Sequence, residues 1–133
     1  MIANGATKQA YDLILIDDDL LVRENWALAA EEAGYLLLAL EHPDELPRHQ
    51  VDRGHPIFMD LNPTAETNSD EPFYGIEHLD LLHDQGYERL YIATGAEAAT
   101  VPPRPYLRGI IDKDFPTPAM IAGNTPPIFG GTP

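Results

Sequence analysis

Three aspartates, one threonine and one lysine lie just after short apolar runs of this sequence, and their side chains could act together. Asp17 and Asp18 follow the first run, Asp60 the third and Thr94 the fourth, and Lys113 comes soon after the fifth. Carboxylates that pack within a few ångströms repel one another unless a cation joins them. A hard divalent ion with oxygen ligands meets that need, so these residue types predict a magnesium site.

The same residues suit the transfer of a phosphoryl group. Magnesium would bridge a carboxylate of the first cluster, Asp60 and an incoming phosphoryl oxygen, and would neutralise charge during the transfer. Asp60 would then be the nucleophile. A lysine ammonium is a compact charge that suits first the carboxylate and then the phosphoryl group, and a threonine hydroxyl can donate a hydrogen bond to another phosphoryl oxygen. Lys113 and Thr94 are the candidates for these two roles.

The apolar runs have the length and composition of strands that are buried on both faces. Five such runs occur, at residues 13–16, 35–40, 57–59, 90–93 and 109–111. Helical spacing lies between some of them, at residues 20–33 and 75–85, with Asp18 or Asp19 as the predicted cap of the first helix and Gly34 as its end. This alternation predicts a parallel sheet with right-handed crossovers, a doubly wound α/β fold. Ligands of such sheets bind at the carboxyl ends of the strands, where all the candidate residues stand.

Prolines limit the helices that can complete this fold. Pro47 leaves room for little more than one helical turn after the second strand. The prolines of residues 101–105 remove most of a fourth helix, and the short stretch 117–123 shortens a fifth. Residues 62–74 form an unusually long polar loop, which is a candidate for function. The predicted organisation is an N-terminal lead, one domain and a flexible Pro/Gly tail, at residues 1–10, 11–123 and 124–133.

The composition excludes several classes of protein. The chain has 133 residues, enough for one domain, and it contains no cysteine, which excludes disulfides and thiolate metal sites. Acidic residues outnumber basic ones by 22 to 8, and the formal net charge of −14 opposes direct binding to nucleic acid or to an anionic membrane. No apolar run approaches the roughly 20 residues of a membrane span, and the first residues lack a signal-peptide pattern. We therefore expect a cytoplasmic protein.

Four short segments resemble the conserved blocks of response-regulator receiver domains from two-component signalling systems. The segments are LILIDDD, FMDLNP, IATG and IIDK, and the resemblance covers about residues 11–113. It implies a flavodoxin-like, five-stranded parallel sheet with the strand order 2-1-3-4-5. Helices four and five would be shortened or irregular here, because of the prolines and the brief final stretch.

The resemblance also implies a role for each candidate residue. By this resemblance the metal ligands are Asp17, Asp18, Asp60 and Asn62. Asp18 would be the more direct ligand of Mg²⁺, and Asn62 would bind the ion through its backbone carbonyl. Asp60 would also accept the phosphoryl group, while Thr94 and Lys113 match the switch threonine and the invariant lysine of the family.

The sequence departs from the family pattern beside the lysine. Asp114 and Phe115 separate Lys113 from the next proline, whereas receivers usually have proline directly after the lysine. We therefore expect a different path for the loop after the fifth strand. Ile110 occupies the position three residues before the lysine, which often holds an aromatic residue in receivers, so a relay from threonine to an aromatic side chain is not expected.

The function implied by the resemblance is that of a signalling switch. The chain would receive a phosphoryl group from a histidine kinase or a histidine phosphotransfer protein. It would not be an enzyme with a separate substrate, although it would assist its own phosphorylation and dephosphorylation. A homodimer, if one forms, is expected to avoid the face of helix four, strand five and helix five, since that face needs two ordered helices. Leu21 and Leu28, seven residues apart on the first helix, are the expected docking strip for the histidine donor.

Two other functions fit parts of the sequence. One is a degenerate pseudo-receiver that only binds a protein partner. The other is a phosphohydrolase of the haloacid-dehalogenase type, because residues 60–64 (DLNPT) resemble its DxDxT motif. Asn62 argues against the second, since an amide cannot shuttle the proton that this chemistry requires.

Single residues also have simpler explanations. Asp17 and Asp18 could merely cap a helix, Thr94 could bond to backbone, and Lys113 could be an exposed lysine at a strand end. The five histidines show no common ligand spacing and are predicted to lie on the surface.

Overall fold

A computed structural model describes residues 11–49, 51–60, 74–95 and 104–123 of the chain. Five strands, three α-helices and one 3₁₀ helix lie within these ranges. In chain order the elements are β1 (Leu13–Ile16), α1 (Leu20–Ala33), β2 (Leu37–Leu40), the 3₁₀ helix (Pro43–Arg48), β3 (Pro56–Met59), α2 (Tyr74–Asp84), β4 (Arg89–Ala93), β5 (Leu107–Ile111) and α3 (Pro118–Ala122). No helix in this described part of the chain is long and apolar enough to cross a membrane.

The five strands form one parallel sheet in the order β2-β1-β3-β4-β5. The predicted doubly wound, flavodoxin-like α/β fold and its strand order are therefore confirmed. The chain starts at β1, adds β2 on one side and then crosses to β3 on the other. The point where the strand order reverses thus lies between β1 and β3, and this is where open α/β sheets bind their ligands.

Both faces of the sheet are covered, which explains why its strands are apolar without alternation. One face packs against α2 and the 3₁₀ helix, which contribute Leu79 and Leu46 to the core. The other face packs against α1 and α3, which contribute Trp26 and Ile121. Along β1, successive side chains enter opposite cores, and all four of them are buried. The short central strands are thus fixed from both sides, and their carboxyl ends have defined positions.

Helix α1 begins and ends at the residues that the sequence indicates. The Asp19 carboxylate caps its first turn by accepting a hydrogen bond of 2.9 Å from the amide of Leu21. Gly34 ends the helix with a φ of 85°, a conformation that glycine adopts without strain. Helical spacing seven residues apart predicts that Ala33 shares the core face of Trp26, but Ala33 is exposed. Ala33 lies in the last turn of the helix, where residues 31–34 are all exposed.

The shortened helices agree with the sequence where the structure describes them. The segment that contains Pro47 is a six-residue 3₁₀ helix, and α3 has only five residues. The predicted loss of the fourth helix falls on residues 96–103, which lie outside the described residues. The long loop, the N-terminal lead and the C-terminal tail also lie outside them.

A polar cluster ties the segment before β5 to α2. The Arg104 guanidinium donates to both Asp80 carboxylate oxygens, over 2.9 and 3.1 Å, and the Tyr106 hydroxyl donates to one of them over 2.5 Å. The Tyr106 ring also stacks on His83, with ring centroids 4.3 Å apart. The hydrogen bond from Arg104 is the main cause that lowers the pKa of Asp80, while burial and then the bond to Asp80 raise the pKa of Tyr106 far above its usual range.

Removing the Asp80 charge is expected to destabilise the fold modestly. Asp80→Asn should lower the free energy of unfolding at neutral pH by about 1 kcal/mol, because the Arg104–Asp80 pair is partly exposed to solvent. A lowered pKa means that the carboxylate stabilises the fold above its ordinary value of 3.8 and loses this effect as the pH falls through the lowered value. Urea unfolding should therefore show a larger free energy of unfolding for the wild type than for the variant at neutral pH. This difference should disappear under acid conditions. Asp84→Asn, at the exposed end of α2, is the control and should show no such difference.

Candidate functional site

The carboxyl ends of four strands meet at one edge of the sheet and carry the predicted residues. Asp17 follows β1, Asp60 follows β3, Thr94 follows β4 and Lys113 lies two residues beyond β5. Ile16 pairs with Met59 in the register of β1 and β3, so the next residues, Asp17 and Asp60, stand side by side. Parallel strands lie about 4.8 Å apart, so the two carboxylates are necessarily neighbours.

Backbone hydrogen bonds extend the sheet one residue past the strands and fix these positions. The amide of Asp60 donates to the carbonyl of Ile16 over 2.9 Å, and the amide of Asp17 donates to the carbonyl of Leu40 over 3.0 Å. The amide of Thr94 donates in the same way to Ile111, over 2.9 Å. The site is therefore built on the rigid end of the sheet.

Lys113 joins the two central aspartates. Its ammonium donates to Oδ2 of Asp17 over 2.7 Å and to Oδ1 of Asp60 over 2.8 Å. Asp17 is fully buried and Asp60 is 5% exposed, whereas the Lys113 side chain keeps 31% of its surface in solvent. Two buried carboxylates thus share one cation, an arrangement that lessens their repulsion. The alternative that Lys113 is merely an exposed lysine at a strand end is wrong.

Two opposing effects of its surroundings change the pKa of the Lys113 ammonium. Burial alone lowers the pKa of Lys113, but the hydrogen bonds and charges of Asp17 and Asp60 together outweigh burial and raise it. A raised pKa means that the pairing stabilises the fold fully below the ordinary lysine pKa and loses this effect as the pH rises through the raised value. Lys113 is therefore charged at neutral pH and available as a fixed cation.

Asp18 completes an acidic cluster that could bind a metal ion. Each of Asp17, Asp18 and Asp60 offers a carboxylate oxygen, and the three oxygens lie within 4.8 Å of one another. Asp18 is partly exposed at the mouth of the cluster, whereas the other two aspartates are buried. Three carboxylates and one ammonium carry a formal charge of −2, which a divalent cation would cancel. Asp19, and not Asp17 or Asp18, caps α1, so capping does not explain the two preceding aspartates.

Thr94 and Asn62 complete the predicted set. Thr94 is buried at the end of β4, which lies between β3 and β5 in the sheet, so it stands between the strands that carry Asp60 and Lys113. The predicted metal ligand Asn62 lies outside the described residues. Of the six predicted site residues, the structure brings five to one edge of the sheet.

Two residues of α1 that were not predicted as site residues donate hydrogen bonds to the backbone of the site. The Arg23 guanidinium donates to the backbone carbonyl of Asp17 over 2.9 Å. The indole N–H of Trp26 donates to the backbone carbonyl of Lys113 over 2.8 Å. Trp26 shows the apolar spacing of a core residue, and nothing in the sequence indicates the partner of its N–H group. The carboxylate and ammonium sides of the site are therefore anchored to the same helix.

The prediction that all histidines lie on the surface is only partly right. The rings of His42 and His78 meet edge to face, with centroids 5.3 Å apart, and the Nε2 atom of His78 is buried. Burial, followed by the neighbouring His42, lowers the pKa of His78. Spacing along one helix could not show this pair, because His42 lies beside the 3₁₀ helix and His78 lies in α2.

The fold and the site together define a doubly wound α/β protein with an acidic cluster and a shared lysine at the reversal of strand order. Comparisons of the chain with family models, with curated proteins and with solved structures give no match.

Proposed function

We propose that this chain is a receiver domain, which accepts a phosphoryl group on Asp60 with the help of Mg²⁺. The observation that carries the proposal is the Lys113 ammonium, which bridges Asp17 and Asp60 beside the Asp18 carboxylate. The resemblance of four short sequence segments to the receiver family supports the same proposal. The donor would be the phosphohistidine of a histidine kinase or of a histidine phosphotransfer protein.

Each residue has a chemical task in this proposal. A carboxylate oxygen of Asp60 forms a bond to phosphorus while the P–N bond of the phosphohistidine breaks, and the imidazole leaves with the bonding electrons. The carboxylates of Asp17, Asp18 and Asp60 would hold Mg²⁺, which would supply positive charge to neutralise the phosphoryl oxygens. Lys113 stays within reach of Asp60 and supplies a second, fixed positive charge. The Thr94 hydroxyl would donate to a phosphoryl oxygen once the group is attached.

Magnesium is the ion that suits this cluster best. All its side-chain ligands are carboxylate oxygens, and the chain contains no cysteine that would favour a softer metal. Mg²⁺ is commonly bound by one or two carboxylates together with phosphate oxygens and water. Asp18, at the partly exposed mouth of the cluster, is well placed for an ion that keeps part of its hydration shell.

Direct phosphorylation by a small donor tests the proposal. Incubation with acetyl phosphate and Mg²⁺ should increase the intact mass by one phosphoryl group, and hydroxylamine should remove it, as expected for an acyl phosphate. Chelation of the divalent ion should prevent the modification. A protein that gains no phosphoryl group under these conditions would instead favour the pseudo-receiver. That alternative is supported by the five-residue α3, which leaves little of a typical output surface.

The exposed leucines of α1 suggest where a histidine donor docks. Leu21 and Leu28 are 65% and 58% exposed, and Leu20 lies beside them near the acidic cluster. An apolar strip of this kind suits contact with the helices of a donor protein. Leu21→Glu should therefore slow transfer from a phosphorylated histidine donor by about tenfold or more.

A small donor needs no docking surface, so the same variant should react with acetyl phosphate at the wild-type rate. Leu81→Glu is the matched control, because Leu81 is also a largely exposed leucine, at 55%, and lies on α2. It should leave both rates unchanged. Equal losses with both donors in Leu21→Glu would mean a damaged site, and no loss with either would mean that the strip is not a docking surface.

A further inference from the structure

We infer that Trp26 is a positioning residue for Lys113, one that holds the ammonium where phosphoryl transfer requires it. This inference rests on the proposed function. The acidic cluster alone does not explain how Lys113, which lies beyond the end of β5, is held in contact with two buried carboxylates.

Trp26 contacts both the loop that carries Lys113 and the strand that leads to Asp60. Its indole N–H donates to the Lys113 carbonyl over 2.8 Å. Its ring meets Phe58 of β3 edge to face at 5.6 Å between centroids, and Phe115 of the loop in the same way at 5.4 Å. Trp26 is 1% exposed, so solvent does not compete for its N–H group. The Trp26 side chain thus packs between β3 and the loop after β5. The relative position of these two segments determines the distance between Lys113 and Asp60.

The sheet itself does not fix Lys113. Among the described residues, the last backbone bond from the sheet in this region joins Thr94 to Ile111, two residues before the lysine. Beyond it, the amide of Asp114 donates to the Asp112 carboxylate over 3.0 Å, which shapes the turn only locally. The bond from Trp26 spans 87 positions of sequence and ties the Lys113 backbone to α1. Together with the packing of Phe115, this bond gives the loop after β5 its path, in a sequence that has no proline directly after the lysine.

Small displacements at this point have large chemical effects. The ammonium makes bonds of 2.7 and 2.8 Å to two carboxylates that belong to different strands. A shift of about 1 Å in the lysine backbone changes the geometry of both contacts, and misplacement on that scale can cost up to about a hundredfold in rate. Trp26 is buried and so is not accessible to a donor, and its one hydrogen bond to the site is to the Lys113 backbone, through which it would act.

The test separates this role from simple core packing. Trp26→Phe removes the N–H donor and keeps an aromatic ring in the core. Ile121→Ala is the matched control, because Ile121 lies in the same core and is not bonded to the site. At saturating Mg²⁺, Trp26→Phe should slow phosphorylation by acetyl phosphate about tenfold. Calorimetric titration should show that its Mg²⁺ binding is not weakened, since the three carboxylates stay in place. Ile121→Ala should lower the melting temperature at least as much and leave the rate close to wild type.

A second readout does not depend on phosphorylation. Lys113 and Lys8 are the lysines of the sequence, so their relative labelling by acetic anhydride can be measured by mass spectrometry. Trp26→Phe should increase the labelling of Lys113 relative to Lys8, and Ile121→Ala should not. The labelling of Lys113 could increase in Trp26→Phe while acetyl phosphate fails to modify even the wild type. That result would reject the proposed function but support the role of Trp26 in positioning Lys113. Unchanged labelling, or rates that follow stability alone in both variants, would overturn the inference.

Discussion

Asp60→Asn is expected to abolish phosphorylation by acetyl phosphate, with no modified protein at times when the wild type is fully modified. An amide is not a nucleophile, and the substitution also removes one carboxylate from the acidic cluster. The fold should persist, because the amide of residue 60 still donates to Ile16 and the shape of the side chain is kept. Intact mass spectrometry measures the modification, and thermal unfolding verifies the fold.

Asp112→Asn is the matched control for this experiment. Asp112 is exposed at the same edge of the sheet. Within the described part of the chain its side chain accepts one local bond, from the amide of Asp114, which an asparagine oxygen can also accept. This variant should be phosphorylated at the wild-type rate. If Asp60→Asn also took up phosphate at that rate, another residue would be the acceptor and the assignment of Asp60 would fail.

Lys113→Met is expected to destabilise the fold in the absence of divalent ions. Asp17 and Asp60 would keep their buried positions and lose the cation between them. Breaking a fully buried pair costs about 3–5 kcal/mol, and the partial exposure of Lys113 reduces the expected loss to about 1–3 kcal/mol. Urea unfolding in the presence of a chelator measures this loss. Arg48→Met, which removes an exposed cation from the 3₁₀ helix, is the control for the change in net charge and should cost much less.

Magnesium should stabilise the Lys113→Met variant more than it stabilises the wild type. The ammonium and the divalent ion are like charges beside the same carboxylates, so removing one favours the other. An ion at about 100 times its dissociation constant stabilises a protein by about 2.7 kcal/mol, and a tighter site gains more at the same concentration. If Mg²⁺ raised the melting temperature of the wild type and not that of the variant, Lys113 would have to support the metal site and not compete with it.

The fold and the charged part of the site could be predicted because local patterns determine them. Continuous apolar runs of three to six residues indicate strands with both faces covered, and alternation with helices makes those strands parallel. Parallel strands end at the same edge, so Asp17, Asp60 and Lys113 had to converge once the strands were recognised. Their charges then required pairing, which the structure shows in the two bonds of the Lys113 ammonium.

Contacts that depend on how elements dock could not be predicted in the same way. The Trp26–Lys113 bond and the Asp80–Tyr106 bond join residues that are 87 and 26 positions apart, and each depends on the placement of a helix against a loop. Ala33 shares the helical face of Trp26 and is nevertheless exposed in the last turn of α1, because periodicity does not show where a helix stops packing on the sheet. Hydrophobic spacing shows which face of a helix is buried. It does not show which polar atoms of other segments lie against that face.

The two bonds from α1 to the site limit how this helix can change during evolution. Its inner face is constrained by Arg23 and Trp26, which bind the backbone on either side of the site. If the leucine strip recognises a donor, the outer face is constrained by a second selective pressure of a different kind. The exposed positions between these faces, such as Glu24 and Glu31, are under neither of these two constraints. Substitutions that alter partner choice would therefore be expected to accumulate along one narrow side of α1, while the opposite side stays the same.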